Sequence, residues 1–245
     1  MRIQFVGCGD AFGTGGRFNT CFHLLGERTN LLIDCGASSM IALKRCAIDR
    51  GTIDTILLTH FHADHFGGIP FFILDAQFIS RRTRPLTLIG PPGLRDWYAR
   101  AMETAFAGSS ATQQKFDLSL REVEVGQPIE IGSVQAIPFH VRHDDRAGPC
   151  LAYRIAAEGR VIAFSGDTEW TETLIEVGRD ADLFICEAYA RDRAIRAHMS
   201  LALLEQHLPE IRPKRLILTH LSEEMFAQAN QLPYQIAEDG LVIEL

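Results

Sequence analysis

The segment Thr59-His60-Phe61-His62-Ala63-Asp64-His65-Phe66-Gly67-Gly68 sets the tightest constraint on this chain. Three imidazoles and a carboxylate fall within six positions, directly after the apolar run Thr55-Ile56-Leu57-Leu58. Such a set suits zinc, and also iron or manganese. In a partly extended stretch His60 and His62 point the same way and share one ion. A turn at Ala63 then aims Asp64 and His65 at a neighbouring position. Gly67-Gly68 permits the sharp backbone that starts a following helix.

The run before this segment is one of several short apolar stretches that end abruptly in polar residues. Leu31-Leu32-Ile33 ends in Asp34, Leu86-Thr87-Leu88-Ile89 in Gly90, and Val161-Ile162-Ala163-Phe164 in Ser165-Gly166-Asp167. Leu183-Phe184-Ile185-Cys186 ends in Glu187, and Leu216-Ile217-Leu218 in Thr219-His220. Continuous runs of this length fit strands buried on both faces. Helical patterns alternate with them: 37–49 with Met40, Ile41 and Leu43 on one face, 94–107, and a helix capped by Ser200 through Leu201, Leu204 and Leu208. Ile69 to Leu74 is long enough for a strand or a helical turn. Over 120–141, period-two alternation with turn signals at Gly126-Gln127-Pro128 and Gly132-Ser133 predicts antiparallel strands. The two halves echo each other, since Ile56-Leu57-Leu58-Thr59-His60 resembles Leu216-Ile217-Leu218-Thr219-His220, and each half has a strand ending in Asp, at 34 and 167. The expectation is one α/β domain over residues 1–245, with chemistry at strand ends.

Composition removes several function classes. With 47% apolar residues the chain is neither disordered nor a coiled coil. Thirty-one acids against 24 bases give a net charge of −7, which disfavours promiscuous binding to duplex nucleic acid. No apolar run approaches the roughly 18 residues of a membrane span. The six cysteines are scattered without a CxxC pair and read as small buried hydrophobes. With no export signal, the expected setting is a reducing cytoplasm.

The HxHxDH pattern resembles the metallo-β-lactamase superfamily, which implies a four-layer αβ/βα sandwich with a one- or two-metal site. The resemblance covers nearly the whole chain, from FVGCGDAFGT to LTHLS. It implies that Asp34 orients the metal histidines, that His60, His62 and His143 hold one ion, and that Asp64, His65 and His220 hold the other, with Asp167 bridging. For the third ligand His143 shares parity with Ile137, Phe139 and Val141, and His140 stands as the alternative. His23 and His207 read as structural or surface residues. Cys186-Glu187-Ala188-Tyr189, His198-Met199-Ser200, Leu218-Thr219-His220-Leu221-Ser222 and Gly90-Pro91-Pro92-Gly93-Leu94 resemble the tRNase Z-like branch. That implies a dinuclear, zinc-type phosphodiesterase in which a metal-bridging hydroxide attacks in line. Glu187 would orient His198 at the leaving oxygen, and Asp64 would serve as proton acceptor. The branch's tRNA-gripping arm has no room between His143 and Asp167, so a small or single-stranded diester is expected in place of tRNA or a large duplex. A homodimer is implied by the same resemblance. Arg191, Arg193 and Arg196 are either an anion-recruiting rim or a solvated face, as are Arg81, Arg82 and Arg84. The competing readings are a same-fold hydrolase of thioesters, lactones or other carbonyls, and a non-catalytic metal or nucleotide sensor.

Overall fold

The apolar runs become strands of two seven-stranded sheets in a computed structural model that describes residues 1–245. The first half supplies β1 (Arg2–Gly7), β2 (Cys21–Leu25), β3 (Asn30–Ile33), β4 (Thr55–Leu57), β5 (Leu86–Gly90) and β6 (Leu118–Glu122). The second supplies β7 (Ile129–Ile131), β8 (Val134–Val141), β9 (Cys150–Ala157), β10 (Arg160–Phe164), β11 (Leu183–Glu187), β12 (Leu216–Thr219) and β13 (Gln235–Ile236). The last strand, β14 (Val242–Glu244), returns to pair with β1. The orders are β14-β1-β2-β3-β4-β5-β6 and β13-β12-β11-β10-β9-β8-β7. Each sheet has antiparallel strands on one side and four parallel ones on the other, β3 to β6 and β10 to β13.

Side-chain alternation explains why the runs are apolar at every position. Leu31 and Ile33, Ile162 and Phe164, and Leu183 and Ile185 enter a core between the sheets, with Phe5, Phe22 and Tyr153. Their neighbours Leu32, Ile56 and Leu88 face outward beneath α1 (Ser39–Arg45), α2 (Ala63–Phe66), α3 (Ile69–Phe78) and α4 (Leu94–Ala105). On the other side Ala163, Phe184 and Leu218 lie beneath α5 (Thr173–Gly178), α6 (Leu201–Ile211) and α7 (Glu223–Ala227). Helix, sheet, sheet, helix is the four-layer αβ/βα sandwich. No helix is long and apolar enough to cross a membrane.

Several local expectations change. Residues 120–141 are not one antiparallel unit: β6 pairs parallel with β5 in the first sheet, and only β7 and β8 form a hairpin in the second. The alternating pattern was continuous because Val123 stays in the inter-sheet core while the chain changes sheets. Ile69 to Leu74 belongs to the ten-residue α3, started by Pro70 in its first turn. On α1 Leu43 is buried as expected and Met40 packs partly against the same cluster, but Ile41 is 58% exposed and Ala42 takes its place. Ser200 does cap α6, its hydroxyl accepting from the Leu203 amide. Arg82 is buried, its guanidinium donating to the carbonyls of Arg84, Arg50 and Gly51, while Arg84 pairs with Asp54. That cluster ties loops together. All six cysteines are free, and every one but Cys46 is buried.

Candidate metal centre and active site

Strands from both sheets end at one place, and their first polar residues fill it. Asp34 follows β3 with a left-handed backbone (φ 59), which turns its carboxylate back under the next strand end. There it accepts from the Thr59 amide (2.8 Å), the Thr59 hydroxyl (2.8 Å) and His65 Nδ1 (2.7 Å). His60 follows β4, and the single turn α2 carries Asp64 and His65. From the second sheet, Asp167 follows β10 and Glu187 ends β11. His220 follows β12, also left-handed (φ 56). The sequence echo is thus half right. Asp34 and Asp167 end equivalent strands, β3 and β10, but the topological partner of β4 is β11, so the counterpart of the Thr59-His60 end is Glu187 and not His220.

Gly67 and Gly68 have ordinary helical dihedrals, so the expected need for an unusual backbone is not what places glycine there. A Cβ on Gly68 would lie 2.3 Å from the Gly36 carbonyl oxygen, and one on Gly67 2.5 Å from that of Ala63. Glycine lets α2 and α3 press against residues 35–37, which draws Asp64 and His65 inward.

Four donor groups overlap here: a first of His60, His62 and His143, a second of Asp64, His65, Asp167 and His220, and two that add His198, one with His143 and Asp167 and one with Glu187 and His220. His140 is outside all four; it is exposed and faces Asp145 at 3.1 Å. Within the second group His65 Nε2 lies 3.2 Å from Asp167 Oδ1 and 3.5 Å from Asp64 Oδ2. His220 Nε2 lies 3.2 Å from Asp64 Oδ2 and 3.3 Å from Asp167 Oδ2. In the first, His62 Nδ1 and His143 Nε2 are 3.0 Å apart. Ligand atoms about 2.0–2.1 Å from a tetrahedral ion sit roughly 3.3 Å from one another, so these spacings fit an ion in each of these two groups. Asp167 reaches both, at 3.9 Å from His60 Nε2 and 3.8 Å from His143 Nε2. His60 Nε2, His65 Nε2 and Asp167 Oδ1 are buried without a hydrogen-bond partner, as unused ligand atoms would be.

The other ring nitrogens are occupied in the way that leaves those atoms bare. His65 Nδ1 donates to Asp34, His143 Nδ1 to the Ala197 carbonyl (2.6 Å), and His60 Nδ1 lies 3.0 Å from the Thr59 hydroxyl. Thr59 was not singled out in the sequence, although a hydroxyl just before a ligand histidine was the available signal. The buried carboxylates also set the charge of the histidines around them. Burial opposes charge on His65, but Asp167, Asp64 and Asp34 outweigh it and hold its pKa well above the ordinary range. His220 is pushed up to about 9 in the same way, with burial opposed chiefly by Asp167 and Asp64. Burial, helped by His65, His143 and His62 and opposed by Asp167, drives His60 well below the usual imidazole value.

Beside this centre Glu187, fully buried, accepts from His198 Nδ1 at 2.9 Å and from the Thr168 amide. Burial works against charge on His198, and Glu187 reverses it, raising the pKa. The His198 ring stacks on Tyr189, 4.5 Å between centroids, a residue of the Cys186-Glu187-Ala188-Tyr189 motif that carried no assigned role in the sequence. Of the three arginines before His198, Arg193 pairs with Glu224 (3.0 Å) and Arg191 lies 3.7 Å from Asp192. Arg196 lines a cavity of about 670 Å³ with His143, Asp144 and Arg146. His23 is buried in β2 against Asn30, and His207 stacks on Trp170. Both stand apart from the metal groups.

Known proteins share this architecture end to end. The ribonuclease Z of Geobacillus kaustophilus is 28% identical over 284 residues, covering 94% of this chain and 91% of its own. That span exceeds 245 residues, so the relative carries segments this chain lacks. The metallo-beta-lactamase fold protein YhfI from Bacillus subtilis superposes with a TM-score of 0.78 at 20% identity, covering 99% of both chains. Human tRNase Z, short form, gives 0.79 at 24% identity over 100% of this chain and 99% of its own. The chain is a ribonuclease Z-like, metal-dependent hydrolase of the metallo-β-lactamase fold. The family model of the anti-Pycsar protein Apyc1 matches residues 1–240, and the chain belongs to that family.

Proposed function

We propose that the chain hydrolyses phosphodiesters with two divalent cations, zinc or else manganese or iron. His60, His62 and His143 would hold one, Asp64, His65 and His220 the other, and Asp167 would bridge them. Bound there, the cations supply a water nucleophile acidic enough to react near neutral pH, and they neutralise phosphate charge. Asp64 faces the shared space and accepts the proton of the attacking water. His198, charged by its contact with Glu187, donates to the departing oxygen.

The observation that carries this reading is the Glu187–His198 pair beside the shared carboxylate. An alkoxide leaving a phosphodiester needs a proton, whereas a thiolate leaving a thioester does not. A small or single-stranded substrate is supported by residues 144–166, which form a short loop and the β9–β10 hairpin and no projecting arm. Six free cysteines support a reducing, cytoplasmic setting. Phe71, Phe78 and Ile79, exposed on and just after α3, support a homodimer.

Elemental analysis of protein purified without chelators is expected to give close to two metal equivalents. The loaded protein is expected to turn over bis(p-nitrophenyl) phosphate, and His198→Ala to lower kcat roughly 100-fold or more with metal content unchanged. Hydrolysis of thioesters or lactones without diesters would overturn the assignment.

A further inference from the structure

A second cavity, of about 520 Å³, opens on the Tyr189 side of the centre and is lined by Asp10, Phe12, Thr14, Tyr189, Arg193 and Ser222 among others. Phe12 is 82% exposed, more than any other large apolar side chain of the protein. A loose loop does not account for this. The Asp10 carboxylate, itself 1% exposed, accepts from the amides of Phe12 (3.2 Å) and Thr14 (2.9 Å) and from the Thr14 hydroxyl (2.9 Å). Asn19 Nδ2 donates to the Asp10 carbonyl, and Gly15 lies against the Phe226 ring, which Arg17 covers from 4.3 Å. Gly13, Gly15 and Gly16 supply the left-handed turns (φ 70, 68 and 73). The loop is fixed, and it holds an aromatic face out in water at the wall of a cavity. The other aromatic residue of that wall, Tyr189, stacks on His198. The rest of the wall is polar, with Glu223 and Glu224 beside Asp10, and its one cation, Arg193, is already paired with Glu224; Phe12 and Tyr189 are its only ring faces.

We propose that Phe12 and Tyr189 form a subsite for a planar aromatic ring carried on one ester arm of the substrate, with Phe12 setting specificity for it. This rests on the phosphodiesterase reading. An apolar ring of this kind gains by covering Phe12, which has no intramolecular partner, and rings at 4.5–7 Å attract beyond simple burial. Because Tyr189 also packs on His198, a ring bound here lies next to the group assigned to the departing oxygen.

Binding tests the subsite separately from turnover. Phenyl phosphate and methyl phosphate carry the same anion and differ by the ring, so titration calorimetry of both on the metal-loaded protein isolates its contribution. The wild type is expected to prefer phenyl phosphate about fivefold or more. Phe12→Ala is expected to abolish that preference while leaving methyl phosphate affinity unchanged, and Phe12→Tyr to keep it. Phe12 is exposed, so truncation leaves the packed core untouched. No preference in the wild type, or a preference that survives Phe12→Ala, overturns the subsite. Absence of diester turnover overturns the underlying reading and leaves the ring preference measurable.

Discussion

Replacing Asp34 by asparagine exchanges one oxygen for an amide nitrogen and keeps the shape. The carboxylate is fully buried and accepts three hydrogen bonds, two from Thr59 and one from His65 Nδ1. If the asparagine oxygen keeps the Thr59 amide, its NH2 group faces His65 Nδ1, which must then accept. The imidazole proton moves to Nε2, the atom that faces Asp64 and Asp167 among the metal donors. An ion at that position has to displace a proton and lose the orienting bond. Changes of this kind weaken metal binding about 10–100-fold, roughly 1.4–2.7 kcal/mol. The two ions are expected to respond unequally. Asp34 touches His65 directly but reaches His60 only through the Thr59 hydroxyl, 2.8 Å on one side and 3.0 Å on the other. Competition against a chromophoric chelator, with zinc counted per chain, resolves the two affinities. The expected result is one site weakened by one to two orders of magnitude and the other by less. Unchanged affinity at both sites, or loss at the His60 site alone, refutes the tautomer argument.

Gly68→Ala is expected to lower the thermal midpoint by about 4–8 °C, since the Cβ would meet the Gly36 carbonyl oxygen at 2.3 Å and overpacking costs about 2 kcal/mol in a chain of this size. Differential scanning calorimetry of the loaded protein checks it, and an unchanged midpoint would show that α3 shifts freely. His23 gives a pH dependence away from the metal groups. Burial, with a smaller contribution from Arg2, holds its pKa below the ordinary 6.5, so the fold keeps it neutral while the unfolded chain takes up a proton. Its stabilising contribution is full above pH 6.5 and is lost as pH falls from 6.5 through the lower folded value. Thermal midpoints between pH 7.5 and 5 are expected to fall less steeply for His23→Gln than for the parent, and parallel curves would contradict this.

How much was legible in advance follows from what each residue does. Strands buried on both faces write themselves as unbroken apolar runs, and polar residues at their ends are conspicuous because they interrupt the run. That is why Asp34, His60, Asp167, Glu187 and His220 were visible without a structure. Strand parity separated His143 from His140: His143 continues the line of Phe139 and Val141, which face the helices, whereas His140 has the parity of Val134 and Ala136 and is exposed beside Asp145. Parity could not reveal that the chain leaves one sheet after β6 and joins the other at β7, since both cores accept the same alternation. Nor could local sequence show that Gly68 is needed for close packing, because the Cys35 and Gly36 carbonyls it avoids are distant in the chain. Arg82 looked like surface charge, and only tertiary packing supplied the carbonyls that bury it. Phe12 was unremarkable in the sequence, and its meaning depends on a cavity wall shared with a residue far along the chain.

The centre is assembled from both sheets, and this orders events during synthesis. His60, His62, Asp64 and His65 leave the ribosome together, long before His143, Asp167 and His220 exist to join them. A nascent chain therefore displays four donors with neither group complete, and Asp64 meets His220 only across a separation of 156 positions. Closing so large a loop is slow compared with local folding. If ions occupy both proposed positions, their full capture would come last, after the second sheet has docked on the first. A truncated product that stops before β12 would lack His220, so one of the two positions would stay a donor short, and cellular metal would reward only the finished chain.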